Sequence, residues 1–193
     1  DRHCILLTGH SHDEPYYRNT IQPIFLKEFG IKGCIRFRKS DNVVRFETLS
    51  RRIFEFLVNL GFPVGLKGNI KIPDSISTDN DLFLACVRGI FDTDGSIYNR
   101  YSKQYNNHTR KYNYKNIEFK MNSSNVIGQV KEILNKNGIN TSNIRKHKKS
   151  YVLNIHNQES IKSFFDRVKP SNPYHSELNR INVTFVSLWW YFV

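Results

Sequence analysis

Acidic side chains are the scarce charge in this sequence: 17 Asp and Glu stand against 29 Lys and Arg in 193 residues, a formal net charge of +12 with an isoelectric point near 9.7. A folded domain that basic usually faces a polyanion, and nucleic acid is the commonest one. Cysteine is sparse as well. Cys4, Cys34 and Cys86 are odd in number and none lies in a C-x-x-C pair, so neither a disulfide framework nor a zinc site is supported. The seven histidines show no ligand spacing. Long apolar runs are missing too: Asn182 to Val193, NVTFVSLWWYFV, is too short to span a membrane and reads as a strand or a packing tail. No basic amphipathic helix stands out, which sets a membrane surface aside as partner. With no signal peptide in view, the glycosylation sequons at Asn107, Asn122 and Asn182 carry no weight, and an intracellular setting is expected.

What is present suffices for a globular fold. With 39% hydrophobic and 24% charged residues the chain is not of the disordered class, and its length can bury one core or the cores of two small repeats.

The stretch that organises the rest is Leu82 to Tyr98, LFLACVRGIFDTDGSIY. Leu82, Ala85, Cys86, Gly89 and Ile90 recur at three- and four-residue intervals, which predicts a helix with one small apolar face. Gly89 would let another backbone approach, so a helix-to-helix contact is expected there. Asp-Thr-Asp-Gly is turn chemistry, predicting that the helix stops near Phe91 or Asp92, that Gly95 takes a left-handed conformation, and that a strand begins at Ser96. Asp92 and Asp94 then lie at a helix C-terminus, where the macrodipole disfavours negative charge by roughly 0.3 to 1 kcal/mol each. A divalent cation held by carboxylate oxygen is the usual compensation; two solvated acids in an ordinary turn are the alternative.

Taken in order, the chain shows an internal repeat. Cys4 to Thr8 is strand-like, and Tyr17, Ile21, Ile24, Phe25 and Phe29 fit one helical face ending at Gly30. Two strand-like runs follow, Cys34 to Arg38 and Val43 to Thr48. There Arg36, Arg38 and Arg45 alternate with Ile35, Phe37, Val44 and Phe46, giving one cationic and one buried sheet face. Ser50 caps a helix that stops at Gly61. The same order returns: a strand from Asn116 to Met121, a helix from Asn125 to Asn137 closed by Gly138, strands from Ile144 to His147 and from Tyr151 to Ile155, and a helix from Ser160 to Val168. EFGIKGCIRFRKSDNVVRFETLSRRIFEFL and KNGINTSNIRKHKKSYVLNIHNQESIKSFF agree in periodicity and element order, which reads as a duplication. Pro63 to Asn80, rich in Gly, Pro, Ser and Asp, reads as the linker between copies.

Val87 to Gly95, VRGIFDTDG, together with the preceding FLAC and following SIY, resembles the nonapeptide that names the LAGLIDADG homing endonucleases. The resemblance implies an α+β fold: two pseudo-symmetric αββαββα repeats forming a saddle of antiparallel sheets over DNA. Its first repeat here, residues 1–62, is incomplete at its N-terminus and lacks the motif helix and its acid. Residues 63–80 form the linker, 81–170 the second repeat and 171–193 a C-terminal tail. The activity implied is site-specific hydrolysis of phosphodiesters in a long double-stranded DNA target. The cofactor implied is Mg²⁺, with Mn²⁺ or Ca²⁺ as its stand-in in a crystal. By resemblance to enzymes encoded in introns and inteins, the setting is the cytoplasm or the organelle that holds the encoding intron; no splice-junction pattern is visible. The alternative is a non-cleaving nucleic-acid binder of the same family, an RNA-splicing maturase or a truncated remnant. A monomer is expected, or a homodimer that pairs two Asp94 helices and so restores both acids.

Site residues follow from both lines of argument. By resemblance Asp94 is the metal acid and catalytic residue, with Gly95 beside it. In the strand from Asn116 to Met121, Ile117, Phe119 and Met121 should face the core, turning Glu118 and Lys120 toward DNA. Lys120 matches the place where the family often carries a catalytic lysine or glutamine, and a phosphate contact is its other reading. His10, in the matching part of the first copy, is a weaker candidate. KQYNNHTRKYNYK, residues 103–115, reads as a hairpin tip that lays Lys103, Arg110, Lys111 and Lys115 on phosphates while Gln104, Asn106 and Asn113 are chemically able to read base edges. Arg145, Lys146, His147, Lys148 and Lys149 form the densest positive run, at the place equivalent to Arg36, Arg38 and Lys39 in the first copy. Two such patches suit two half-sites.

Overall fold

The computed structural model describes residues 3–64, 70–100 and 114–175, without the side chains of Lys39 and Arg100. The chain begins with strand β1 (Cys4–His10), a 3-10 turn (Ser11–Asp13), α1 (Glu14–Tyr16), a π-helical stretch (Tyr17–Ile21) and α2 (Gln22–Phe29). Strands β2 (Cys34–Arg38) and β3 (Val43–Leu49) and helices α3 (Arg51–Asn59) and α4 (Asp74–Ser77) follow. The second half runs α5 (Asn80–Asp94), β4 (Gly95–Arg100), β5 (Tyr114–Met121), α6 (Ser124–Lys136), β6 (Arg145–His147), β7 (Ser150–Ile155) and α7 (Gln158–Val168).

Two antiparallel sheets result, in the orders β1-β3-β2 and β4-β5-β7-β6. The first order is the second without its leading strand, since β5-β7-β6 has the connectivity of β1-β3-β2. The halves therefore differ by α5 and β4, the two elements that carry the Leu82 to Tyr98 stretch. Local chemistry explains the helix starts. Ser50, Asp79, Ser123 and Asn157 stand at the N-caps of α3, α5, α6 and α7, each accepting from a backbone N–H of the first turn.

Most of the apolar burial lies in the second half. Phe91 of α5, Phe119 of β5 and Phe164 of α7 pack ring against ring at 4.9 to 5.9 Å, with Ile117, Leu153 and Ile155 around them. Each ring buried there is worth roughly 1.5–3 kcal/mol. This cluster fixes α5 across the sheet through Phe83, Leu84, Val87 and Phe91. The first half has a smaller centre, Tyr16, Tyr17, Val44 and Phe46.

Several expectations are corrected. Helix α5 continues to Asp94, because its last turn is anchored by the buried Phe91 and Asp92 rather than released at the turn-forming residues. Gly95 has φ −82° and ψ 160°, extended and not left-handed. Glycine is needed there for space: a Cβ would lie 2.1 Å from the Phe91 ring and 2.6 Å from its carbonyl oxygen. On the small face of α5, Leu82 and Ala85 are exposed and nothing lies within 4 Å of a Cβ built on Gly89, so no backbone approaches there among the described residues, while Cys86 and Ile90 pack partly buried against the main core. Phe37, expected inside, is 45% exposed. Residues 70–77 are more than a linker: Ile72 is buried in the main core and its backbone exchanges two hydrogen bonds with the Gln129 side chain. The Asn182 to Val193 stretch lies outside the described residues.

Replacing Gly95 with Ala should lower the unfolding free energy by about 1–3 kcal/mol, the usual range for overpacking. A denaturant midpoint equal to that of the parent protein would show that the Phe91 ring can yield.

Candidate nucleic-acid interface and metal site

The two acids of Asp-Thr-Asp-Gly have separate fates. Asp92 is 2% exposed. Its carboxylate accepts from the backbone N–H of Ser171 at 3.0 and 3.1 Å, from the Ser171 hydroxyl, and from the backbone N–H of Asn172 at 3.1 Å. The Asn172 amide donates to the Asp92 carbonyl and to Asp13 Oδ1, both at 2.9 Å. These donors, rather than a cation, offset the unfavourable charge of Asp92 at the helix end. Hydrogen bonds to a charged group contribute about 1.5–3 kcal/mol each. The segment after α7 is thus tied to the end of α5 and to the start of α1. Tyr16 lies against the same carboxylate, and its ionisation is pushed upward by burial first and by Asp92 next. His175 stacks on Phe91 at 4.6 Å, and burial holds its pKa below the ordinary value.

Asp94 is exposed and lines a cavity of about 410 Å³ with Lys120, Asn122 and an apolar wall that includes Phe62, Cys86 and Ile90. The residue pair chosen from the sequence as catalytic therefore meets in one cavity. Strand β5 presents its residues as expected, Ile117 and Phe119 buried and Lys120 exposed. Lys120 also borders a cleft of about 230 Å³ with Glu118, Arg145, Lys146 and His147. Lys148 and Lys149 occupy the adjoining turn, where Lys148 has φ 56°, and both are exposed.

On the first sheet Arg36 and Arg45 stand directly opposite each other, opposite the face that buries Val44 and Phe46. Like charges in that position destabilise a strand pair, so this row favours an anion. Arg36 is 3.9 Å from Glu47, Arg38 is paired with Asp41, and the Arg45 Nε is buried without a partner among the described residues. The side chain of Lys39, and Lys103, Gln104, Asn106, Arg110, Lys111 and Asn113 entirely, lie outside the described residues. Lys115 does not sit on a hairpin tip. It belongs to β5, is 8% exposed, has its pKa lowered by burial, and its backbone is held at both ends by Gln158. His10 caps the 3-10 turn, accepting from the His12 N–H at 3.2 Å, and is not among the cavity-lining residues.

Sequence reasoning missed Asp13, Tyr17 and Asn172. A Cβ on Gly9 would touch the Tyr17 hydroxyl at 2.9 Å and Asp13 Oδ2 at 3.0 Å, so these groups adjoin. Burial, then the charges of Asp13 and Asp94, push the Tyr17 pKa up to about 12. Asp94 is thus close enough for its charge to reach the first half of the chain. No group of three or more His, Cys, Asp or Glu among the described residues could hold a metal.

Residues 81–169 match the family model for the LAGLIDADG-like domain, and the match contains both acids and Lys120. That segment is a LAGLIDADG-like domain. Solved structures extend the likeness over both halves. The homing endonuclease I-DmoI in complex with DNA and Mn is 17% identical, with a TM-score of 0.58 over 87% of this chain and 81% of that one. I-DmoI in complex with DNA and Ca gives 16% and 0.60 over 92% and 83%. The N-terminal LAGLIDADG domain of DUF199/WhiA gives 15% and 0.57 over 88% and 75%. At these identities the likeness establishes the LAGLIDADG fold, an α+β architecture with two antiparallel sheets. No curated protein sequence matches the chain significantly.

Two outcomes test this account of the LAGLIDADG helix end. Asp92→Ala should cost about 3 kcal/mol or more, because it strands the Ser171 and Asn172 donors; chemical denaturation measures it. The second concerns Tyr17, whose folded pKa near 12 lies above the ordinary 10.0. Its contribution is complete below pH 10 and declines as pH rises toward 12, because the unfolded chain ionises first. Tyr17→Phe should flatten that decline in denaturant midpoint.

Proposed function

We propose that this protein is a divalent-metal-dependent DNA endonuclease that hydrolyses phosphodiesters in a long double-stranded target. The observation that carries the reading is the meeting of Asp94 and Lys120 in one cavity beside the cationic cleft of Lys120, Arg145 and Lys146. The fold shared with I-DmoI, crystallised with DNA and Mn, supports it.

The donor set fits a hard cation. Mg²⁺ keeps several waters and takes one or two protein carboxylates together with substrate phosphate. Asp94 would supply the carboxylate and the Gly95 carbonyl a second oxygen. When bound, the metal supplies charge stabilisation for the phosphorane-like transition state and a more acidic water. This chain's residues do the rest. Lys120 holds the water network and neutralises charge that develops on the phosphate. The apolar wall at Ile90 limits solvent, and the arginines and lysines of both sheets position the backbone.

Each sheet would cover one half-site, the halves being diverged copies. The chain acts as a monomer in this reading, in an intracellular compartment, and a homodimer through α5 is the other assembly. A second function, DNA binding without cleavage, is favoured by one observation: Asp94 is the sole carboxylate among the described residues lining the cavity.

The test is selection of bound duplexes from a randomised library, then incubation of a plasmid carrying the selected site with protein and Mg²⁺. Wild type should nick or linearise it, Asp94→Asn should leave it intact, and Lys120→Met should slow it by about 10²-fold or more. Binding without cleavage by the wild type would establish the second reading instead.

A further inference from the structure

The face of the second sheet that points away from the helices is arranged in rows by strand register. Lys120, Val152 and Arg145 lie side by side, and Ser96, Glu118 and Asn154 form the next row. Val152 and Asn154 are buried, while Glu118 is half-buried and Lys120 and Arg145 are exposed, so the last three are what a ligand meets. Glu118 is the one carboxylate among the described residues of that cleft.

A carboxylate there is costly for a phosphate-binding surface, since it repels the groups that the lysines and arginines attract. It shares the cleft with Lys120, Arg145 and Lys146 but is not locked to any of them. Among the described residues Glu118 is in no ion pair, and its carboxylate accepts from the Tyr98 hydroxyl at 3.5 Å. That contact is long, and most of the carboxylate's acceptor capacity is open.

Resting on the DNA-binding reading above, we infer that Glu118 specifies a cytosine at one position of a duplex laid across this sheet. An ionised carboxylate only accepts hydrogen bonds. In the major groove guanine offers N7 and O6 acceptors and thymine offers O4, all of which repel it. Adenine has an N6 donor but sets its N7 acceptor beside it, against the second carboxylate oxygen. Cytosine presents the N4 donor without a neighbouring acceptor of its own. Lys120 and Arg145 lie in the neighbouring row and are placed for phosphates beside this contact, so the cations give affinity and the anion gives selection.

The test compares wild type with Glu118→Gln and Glu118→Ala, each as the full chain, in selections from one randomised duplex library, with binding to a site-free duplex measured in parallel. Wild type should select cytosine at one position that both variants relax by roughly ten-fold or more. Both variants should bind the site-free duplex more tightly, because a negative charge is gone. Retention of every wild-type base preference by the variants would overturn the assignment while leaving DNA binding intact. Failure of the wild type to enrich any duplex would overturn the DNA reading and this inference with it.

Discussion

The structure depends on one buried carboxylate. Asp92 sits at the negative end of a fifteen-residue helix, in a place where both the macrodipole and desolvation oppose its charge. It is tolerated because two successive backbone N–H groups and a hydroxyl from residues 171–172 converge on it. The same asparagine reaches across to Asp13, so a single side chain joins the end of α5, the exit from α7 and the entrance to α1. Removing the charge would save its desolvation cost but would leave the converging donors without an acceptor. The arrangement is therefore all-or-none, and it fixes the helix end from which Asp94 projects.

That division of labour between two acids two residues apart follows from helical geometry. Residues i and i+2 on a helix point about 200° apart. If one is turned into the protein the other is turned out, so the burial of Asp92 and the exposure of Asp94 are one fact. Gly95 then carries the chain straight into β4 with no room for a side chain against Phe91. The motif encodes a structural acid, a spacer, an exposed acid and a clearance.

Much of this was legible in sequence. The 3.6-residue periodicity of α6, the alternation in β3 and β5, the caps at Ser50 and Gly138 and the repeated element order all reflect local rules, and local rules are what spacing records. Asp94 was singled out through the motif and Lys120 through the alternation of its strand and the resemblance, and both line one cavity. The Asp92 cap was not, because Asp92 and Asn172 are 80 positions apart and nothing in either neighbourhood announces the other. Asp13 was hidden for the same reason. Lys115 misled because a basic, tyrosine-rich run reads as a loop, whereas the strand begins inside it. The end of α5 misled because turn-forming residues were overruled by the tertiary anchoring of Phe91 and Asp92.

The shorter first sheet has a consequence for how the protein behaves in solution. Among the described residues it has three strands in the order β1-β3-β2 and leaves β1 as an edge, seven residues long, reading CILLTGH without an acidic or lysine or arginine side chain and with Leu6 exposed. Open edges of that kind recruit strands from neighbouring molecules unless something keeps the molecules apart. Here the net charge of +12 does so at long range. Salt shortens that range to about 10 Å at 0.1 M, so ionic strength governs colloidal stability through an edge that the charge otherwise guards.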